Sequence, residues 1–402
     1  MLNHPTTLRR SKSLLGLRGF AAALAVAVPL GAPSEVLSQQ TLNVATWGGA
    51  YGRAQEEALF EPFAKKTGTV VATETYGGDS TKLKSLIDNS DTPVDVVDVS
   101  ADTLDRLCAD GLLAPMDADE LKAGGDSGDD FLPGAISKCG VASMAWSTAI
   151  VFSRKALRAG KPESIAALLD TASYPGKRAL PNTPQRTLEL ALLADGVPPG
   201  SVYTELGTPE GADRAFAALD RIKNHVLLWD NPAQPVTWIV DGRAAMAAGY
   251  SGRLFRAAIG DRNIGILWDG QIYDVDAWAI PKTSKNKTEA MRFIRFATEP
   301  AQLAAQAQLT AYGPMRASAI AQVGPHPVIG VDMQRFLPTA PDNFQRALRF
   351  DQAWWDRGGA SLTQRFNAWA NEVRTAAAAR EAERKAKAAA AAAKDAPPKA
   401  AP

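Results

Sequence analysis

Thr41-Leu-Asn-Val-Ala-Thr-Trp-Gly-Gly-Ala-Tyr51 decides how the rest of the chain is read. Asn43–Thr46 reads as a short apolar strand. It runs into a Trp-Gly-Gly turn and then an amphipathic helix, expected over Gln55–Lys66 and stopped by Gly68, which suits a left-handed cap. The turn leaves an aromatic side chain, Trp47, and bare backbone at Gly48 at the carboxyl end of a first β-strand. In open α/β sheets small ligands bind at that edge.

The same alternation continues. Val70–Thr75 reads as a second strand, and Gly77-Gly78-Asp79-Ser80 opens a helix over Thr81–Asp88, with Asp79 or Ser80 as its cap. Val94–Val99 is a β-branched run of the kind found in buried parallel strands. Val141–Phe152 is extended and leads into a second α/β region, and Asn263–Ile280 is extended again. The expected fold is therefore α/β with two lobes. Each lobe is a mostly parallel sheet flanked by helices, joined by crossing strands. Residues 41–143 and 277–325 are assigned to lobe 1, and residues 144–276 and 326–370 to lobe 2.

The bulk numbers are compatible with that picture. The chain has 402 residues, 46% of them apolar, which is ample for two or more cores. A net charge of +1 gives the whole molecule no strong attraction to nucleic acid or membrane surfaces. Residues 1–38 read as a signal peptide. Arg9, Arg10, Lys12 and Arg18 form its basic region, Phe20 to Leu30 its apolar stretch, and Val36 and Ser38 suit cleavage near Gln39. Arg9-Arg10-Ser11-Lys12-Ser13 only weakly echoes a twin-arginine signal, so the export route stays open. Two cysteines in an exported chain, Cys108 and Cys139, imply a bridge. Closing a loop of about 32 residues contributes about 3.7 kcal/mol on the chain-entropy estimate. Gly124–Asp130 reads as a solvated acidic loop. From residue 371 the composition turns to Ala, Lys and Pro, which reads as a disordered tail or a solvated helix.

At this level of detail the chain resembles the periplasmic solute-binding proteins of ABC transporters. The similarity lies with the spermidine/putrescine receptors and their amino-acid-binding relatives, over roughly residues 41–370. It rests on the order and spacing of Thr46-Trp47-Gly48, Tyr174-Pro-Gly-Lys177, Asn231-Pro-Ala-Gln-Pro235, Asp276-Ala-Trp-Ala-Ile-Pro281, Ala311-Tyr-Gly-Pro314 and Trp354-Trp355. The resemblance implies a small-molecule solute held between the lobes, an inner-membrane ABC permease as partner, a monomer and a periplasmic location. It implies aromatic walls at Trp47, Tyr250 and Tyr312 and an ammonium-binding carboxylate at Asp276. Gly48, Gly78 and Asp79 complete the expected ligand set.

Two departures bear on the ligand. Gly48-Gly49 stands where polyamine receptors carry an acid, and Arg186 falls where they carry a glutamate. A cation there repels a polyamine, because like charges across a desolvated site cost several kcal/mol. It attracts a carboxylate, which arginine's planar fork suits. One basic and one acidic end fit a zwitterionic ω-amino acid such as 4-aminobutyrate or 5-aminopentanoate, with a polyamine as the alternative. Bland readings stay open beside these. Arg186 could lie on the exposed side of its helix, paired with Glu189; Asp276 could cap a helix or turn; Trp47 could be core. An enzyme is the competing class. His225 and His326 are the only histidines after residue 38, and no nucleophile motif or phosphate loop is present. Neither catalysis, a cofactor nor a metal site is expected. A sensor-coupled receptor would use the same fold.

Overall fold

A computed structural model of the chain describes residues 40–394, apart from 90, 92, 123–129 and 158–159. The expected signal peptide and cleavage point, most of the acidic loop and the last eight residues lie outside the described residues.

Nine strands form one continuous sheet. They are β1 (Thr41–Thr46), β2 (Val70–Thr75), β3 (Val96–Ser100), β4 (Gly140–Ser153), β5 (Arg178–Pro181), β6 (Val226–Trp229), β7 (Met246–Tyr250), β8 (Ile264–Ala279) and β9 (Leu348–Arg349). The order is β2-β1-β3-β8-β4-β7-β5-β6, with β9 on β8. β1, β2 and β3 are mutually parallel, as are β5, β6 and β7. The two long strands β4 and β8 pair antiparallel from Gly140 opposite Ala279 to Ser153 opposite Ile264. β3 runs antiparallel to the end of β8, and β7 antiparallel to the end of β4. The two parallel groups therefore run in opposite senses, and their carboxyl ends point toward each other across the middle of β4 and β8.

Each group is covered on both faces, as its apolar strands demand. In the first half, Leu42, Val44, Phe60, Phe63, Trp278 and Phe293 fill one side. Leu83, Ile87, Val97, Val99 and Leu104 fill the other. In the second half, Leu188 to Leu193, Phe216, Trp355, Phe366 and Trp369 pack on one side, and Trp229, Trp238 and Leu254 on the other. Met333, Leu337 and Ala340 pack on Ala304, Ala307 and Phe255 before the chain rejoins the second half at Leu348.

The opening turn needs its glycines. Gly48 and Gly49 both have positive φ (75° and 63°). A Cβ on Gly48 would sit 2.4 Å from Thr75 Cγ2, so any larger residue would force β2 away from β1. The following helix starts earlier than the sequence pattern indicates. It runs from Gly49 through a π-helical stretch at Glu56–Phe60 to Thr67, where Gly68 (φ 79°) ends it as expected. Burial of Tyr51, Ala54 and Gln55 outweighs the poor helix propensity of its glycines.

Cys108 and Cys139 form the expected disulfide (Cα–Cα 5.9 Å), joining the helix Ala101–Ala109 to the entry of β4. The final helix is one element, Ala360–Lys394. Its core contacts reach Val373, past the expected lobe end at residue 370. Beyond that it is mostly exposed and carries ion pairs such as Lys387–Glu383 along its own surface. Among the described residues no helix is long and apolar enough to cross a membrane.

Candidate functional site

The converging strand ends build a site with two poles. The first gathers around Asp98, an acid inside the buried β3 run. Its Oδ2 accepts from Tyr51 Oη (2.8 Å) and Gln55 Nε2 (2.6 Å), and its Oδ1 from Ser143 Oγ (2.8 Å). Burial pushes its pKa up to about 7, against the pull of those three donors. Tyr76 donates to the Asp98 carbonyl (2.8 Å). Trp47 leans on Tyr76 with ring centroids 5.1 Å apart, and its indole N–H is buried without a partner. Gly78 lies against that ring, since a Cβ there would come within 3.0 Å of Trp47 Cζ3. Asp79 does a structural job: its exposed carboxylate caps the helix Ser80–Asp88, accepting from the Thr81 and Lys82 N–H groups (2.9 and 3.0 Å).

The second pole is Arg186. It is the one non-glycine residue with positive φ among the described residues (φ 69°, ψ −29°). That conformation costs about 1–2 kcal/mol for an L-residue, so its surroundings must impose it. Gln185 and Arg186 are both non-helical, so the regular helix begins only after them. Glu189, one turn on, is fully buried. It accepts from Trp355 Nε1 (2.6 Å) and Tyr203 Oη (3.4 Å), and burial pushes its pKa up to about 7.

The exposed-helix reading of Arg186 is thereby corrected. Its side chain is only 11% exposed, and the guanidinium packs against the rings of Phe350 (3.9 Å) and Trp146 (4.8 Å). Nη2 donates to Asp274 Oδ2 (3.3 Å), and Nη1 is buried with no partner.

Asp276 belongs to the first pole: it stands on β8 opposite Ser100 and Met144, near enough to Asp98 for the two acids to repel. It is mid-strand, which removes the capping alternative. The Trp146 indole N–H donates to its Oδ1 (3.2 Å) and is its one side-chain donor among the described residues. Burial first, then Asp98 and Asp274, push its pKa well above the usual carboxylate range. Asp274 is also raised by burial, with Arg186 pulling it back. Tyr250 meets Trp146 and Trp229 edge-on (5.5 and 5.9 Å). Tyr312 meets Tyr51 edge-on (5.5 Å) and lies over Gly252, where a Cβ would be 2.6 Å from its hydroxyl. Ser147 Oγ and Thr148 Oγ1 on β4 are buried without partners.

Of the residues singled out by sequence, Trp47, Arg186, Tyr250, Asp276 and Tyr312 fall on this aromatic and charged network, while Gly48, Gly78 and Asp79 shape its turns. Sequence reasoning missed Tyr51, Asp98, Trp146, Asp274 as the partner of Arg186, and Phe350. An acid within Val94–Val99 was the available signal for Asp98, because a buried strand does not carry a charge without a reason.

A cavity of about 350 Å³ opens beside Asp274 and Phe350 and is lined also by Asp102, Asp105, Tyr203 and Asp351. A larger groove of about 790 Å³ on the first half, along Lys287–Ala297, shares none of these residues. Its size reflects a surface crease rather than the site. Among the described residues no group of His, Cys, Asp or Glu side chains is placed to hold a metal.

Two parallel groups facing each other across long crossing strands, with charged and aromatic groups at the junction, define a two-lobed ligand-binding protein. The chain belongs to the bacterial extracellular solute-binding proteins, whose family pattern matches residues 58–328. It is 38% identical to a gamma-aminobutyric acid-binding protein of Pseudomonas aeruginosa, over 89% of this chain and 95% of that protein. It is 26% identical to a spermidine/putrescine-binding periplasmic protein of Escherichia coli, over 60% of this chain and 69% of that one. A solved GABA receptor aligns with a TM-score of 0.64 at 29% identity, covering 82% of this chain and 97% of the other. Its relatives are substrate-binding proteins of transport rather than enzymes.

Proposed function

We propose that the protein is a periplasmic receptor for a small ω-amino acid, with 4-aminobutyrate favoured. It captures the solute between its lobes and delivers it to an inner-membrane ABC permease. The observation that carries the ligand reading is the charge pattern. Arg186 has a buried, unpartnered donor at one pole, while Asp98 and Asp276 lie buried without a cation at the other. A ligand carboxylate completes the first and a ligand ammonium neutralises the second. Buried charges are tolerated only when paired, and the zwitterion brings a partner of the right sign to each pole. The names of the two GABA-binding relatives point the same way.

The lobes are taken as residues 41–143 with 277–325, and 144–276 with 326–370, hinged on β4 and β8. The closed form is selected by the extra contacts that the ligand makes in it. Export through residues 1–38 gives a mature chain starting near Gln39, acting as a monomer.

A polyamine remains the second reading, favoured by three carboxylates, Asp98, Asp274 and Asp276, around a single arginine. Calorimetry separates the two. Titration with 4-aminobutyrate, 5-aminopentanoate, putrescine and spermidine should give binding of an ω-amino acid. Tight binding of a diamine with no response to the amino acids would mean that Arg186 does not serve the ligand.

A further inference from the structure

We infer that Trp146 is the spacer that sets which chain length of zwitterion the site accepts; this rests on the ω-amino-acid reading above. Trp146 is the side chain that touches both poles. Its indole N–H donates to Asp276 Oδ1 at 3.2 Å, and its ring lies 4.8 Å from the Arg186 guanidinium. The register explains how one residue spans both. Trp146 stands opposite Asp274 on β8, while Asp276 stands opposite Met144, so the indole runs diagonally along the sheet to reach the second acid.

The spacer is wedged. Tyr250 abuts it edge-on and is itself backed by Trp229. The Arg186 guanidinium also packs on Phe350, 3.9 Å from its ring centroid. With the rings of Phe350 and Trp146 against the guanidinium and Nη2 engaged by Asp274, Nη1 is the donor left for a ligand carboxylate. The ammonium site at Asp276 is fixed by the other end of the same indole. The separation of the two sites is thus set by the breadth of one rigid ring rather than by two independent loops. A chain too short cannot span that separation, and one too long must buckle against Trp146 or Tyr250.

Calorimetry on the full exported chain tests this with 3-aminopropanoate, 4-aminobutyrate, 5-aminopentanoate and 6-aminohexanoate. The wild type should show one optimum length. Trp146→Phe leaves a narrower ring and loses the N–H, so it should weaken the whole series and raise the affinity ratio of long to short ligands, by less than Trp146→Ala does. Trp146→Ala removes the spacer and should move the optimum to a longer chain. The ratio of affinities for long and short ligands should change about tenfold or more, the discrimination expected of a methylene in a fitted pocket. Equal weakening of all four ligands by Trp146→Ala, with their order unchanged, would overturn the inference. An unchanged ratio of long to short ligands in Trp146→Phe would overturn it as well, and that variant tests the idea even if the Ala variant does not fold. A wild type that binds none of the series overturns the ω-amino-acid reading itself and this inference with it.

Discussion

The two poles of the site are built on different terms. Around Asp98 both carboxylate oxygens are already satisfied, by Tyr51, Gln55 and Ser143. Around Arg186 the hydrogen bonding is unfinished, with Nη1 buried and unpartnered among the described residues. A finished polar network is rigid, because every member is held by another. An unfinished one is unfavourable until something completes it, since a buried donor left unmade costs about 1–3 kcal/mol. The Asp98 side is therefore the fixed wall, and the Arg186 side is where the ligand's hydrogen bonds have most to gain.

The largest expected break in this contrast comes at Arg186. Removing one member of a buried, hydrogen-bonded charge pair typically costs about 2–5 kcal/mol, about 30-fold to several thousand-fold in affinity. Arg186→Ala should abolish binding of 4-aminobutyrate at micromolar concentrations in calorimetry. Unchanged affinity would show that the unfinished pole is not the ligand's.

At the other pole, Asp276→Asn should weaken 4-aminobutyrate strongly, whereas Trp47→Ala should cost less, because it removes wall packing and no charge. If Trp47→Ala proved the worse of the two by calorimetry, the ammonium would lie away from Asp276.

The disulfide sharpens the contrast in another way. It ties the half that carries Asp98, with Cys139 packed among Val97, Val99 and Leu104. The double variant Cys108→Ser, Cys139→Ser should lose about 2–5 kcal/mol of stability in denaturant melts. Affinity measured well below its melting point should stay near that of the wild type. A large loss of affinity would mean that the wall depends on the bridge.

The pH response is smaller. Asp98 and Glu189 are both pushed up to about 7 by burial. Their unfolded values lie near 4, so the folded chain binds more protons over the window from about pH 4 to about pH 7. The stability they contribute is present at the acid end and is lost as pH rises through about 7. His225, held low by burial and then by Lys177 and Arg178, opposes this below its ordinary value. Asp130 and Asp195, held low by arginine partners despite some burial, act only at more acid pH. The ligand-free protein should melt a few degrees higher at about pH 5.5 than at about pH 8, on the order expected for a shift of a kcal/mol or so. Glu189→Gln should flatten that slope without removing it, because Asp98 remains. The opposite slope in scanning calorimetry would show that both acids are ionised in the folded state.

Much of this was legible before any tertiary contact was known. The Trp-Gly-Gly turn, the stop at Gly68 and the cap at Asp79 follow from local backbone chemistry. The Cys108–Cys139 pairing needed only a count of two. The change of sign at Arg186 was visible as a departure from the family it resembles, and it marks the residue that the fold places at one pole. The period of two in a strand also puts Asp274 and Asp276 on one face of β8.

What periodicity could not supply was which residue each would meet. Alternation fixes the face of a strand, but register fixes the partner. The register of β4 against β8 shifts between Ala142 and Met144 and again between Thr148 and Ile150. Those irregularities bring Trp146 opposite Asp274 and within reach of Asp276. The positive-φ backbone of Arg186 was equally hidden, because no arginine adopts it by preference; Trp146 on β4 and Phe350 after β9 reach its guanidinium from outside its own helix. Asp98 looked like an interruption in a buried strand until Tyr51, Gln55 and Ser143 arrived from other elements to surround it. The sequence determined the strands, the turns and the sign of the charges, all local properties of residues and their neighbours in the chain. The tertiary structure alone decided which charges face each other and which are left unpaired, because pairing across a sheet depends on register and burial that no local segment contains.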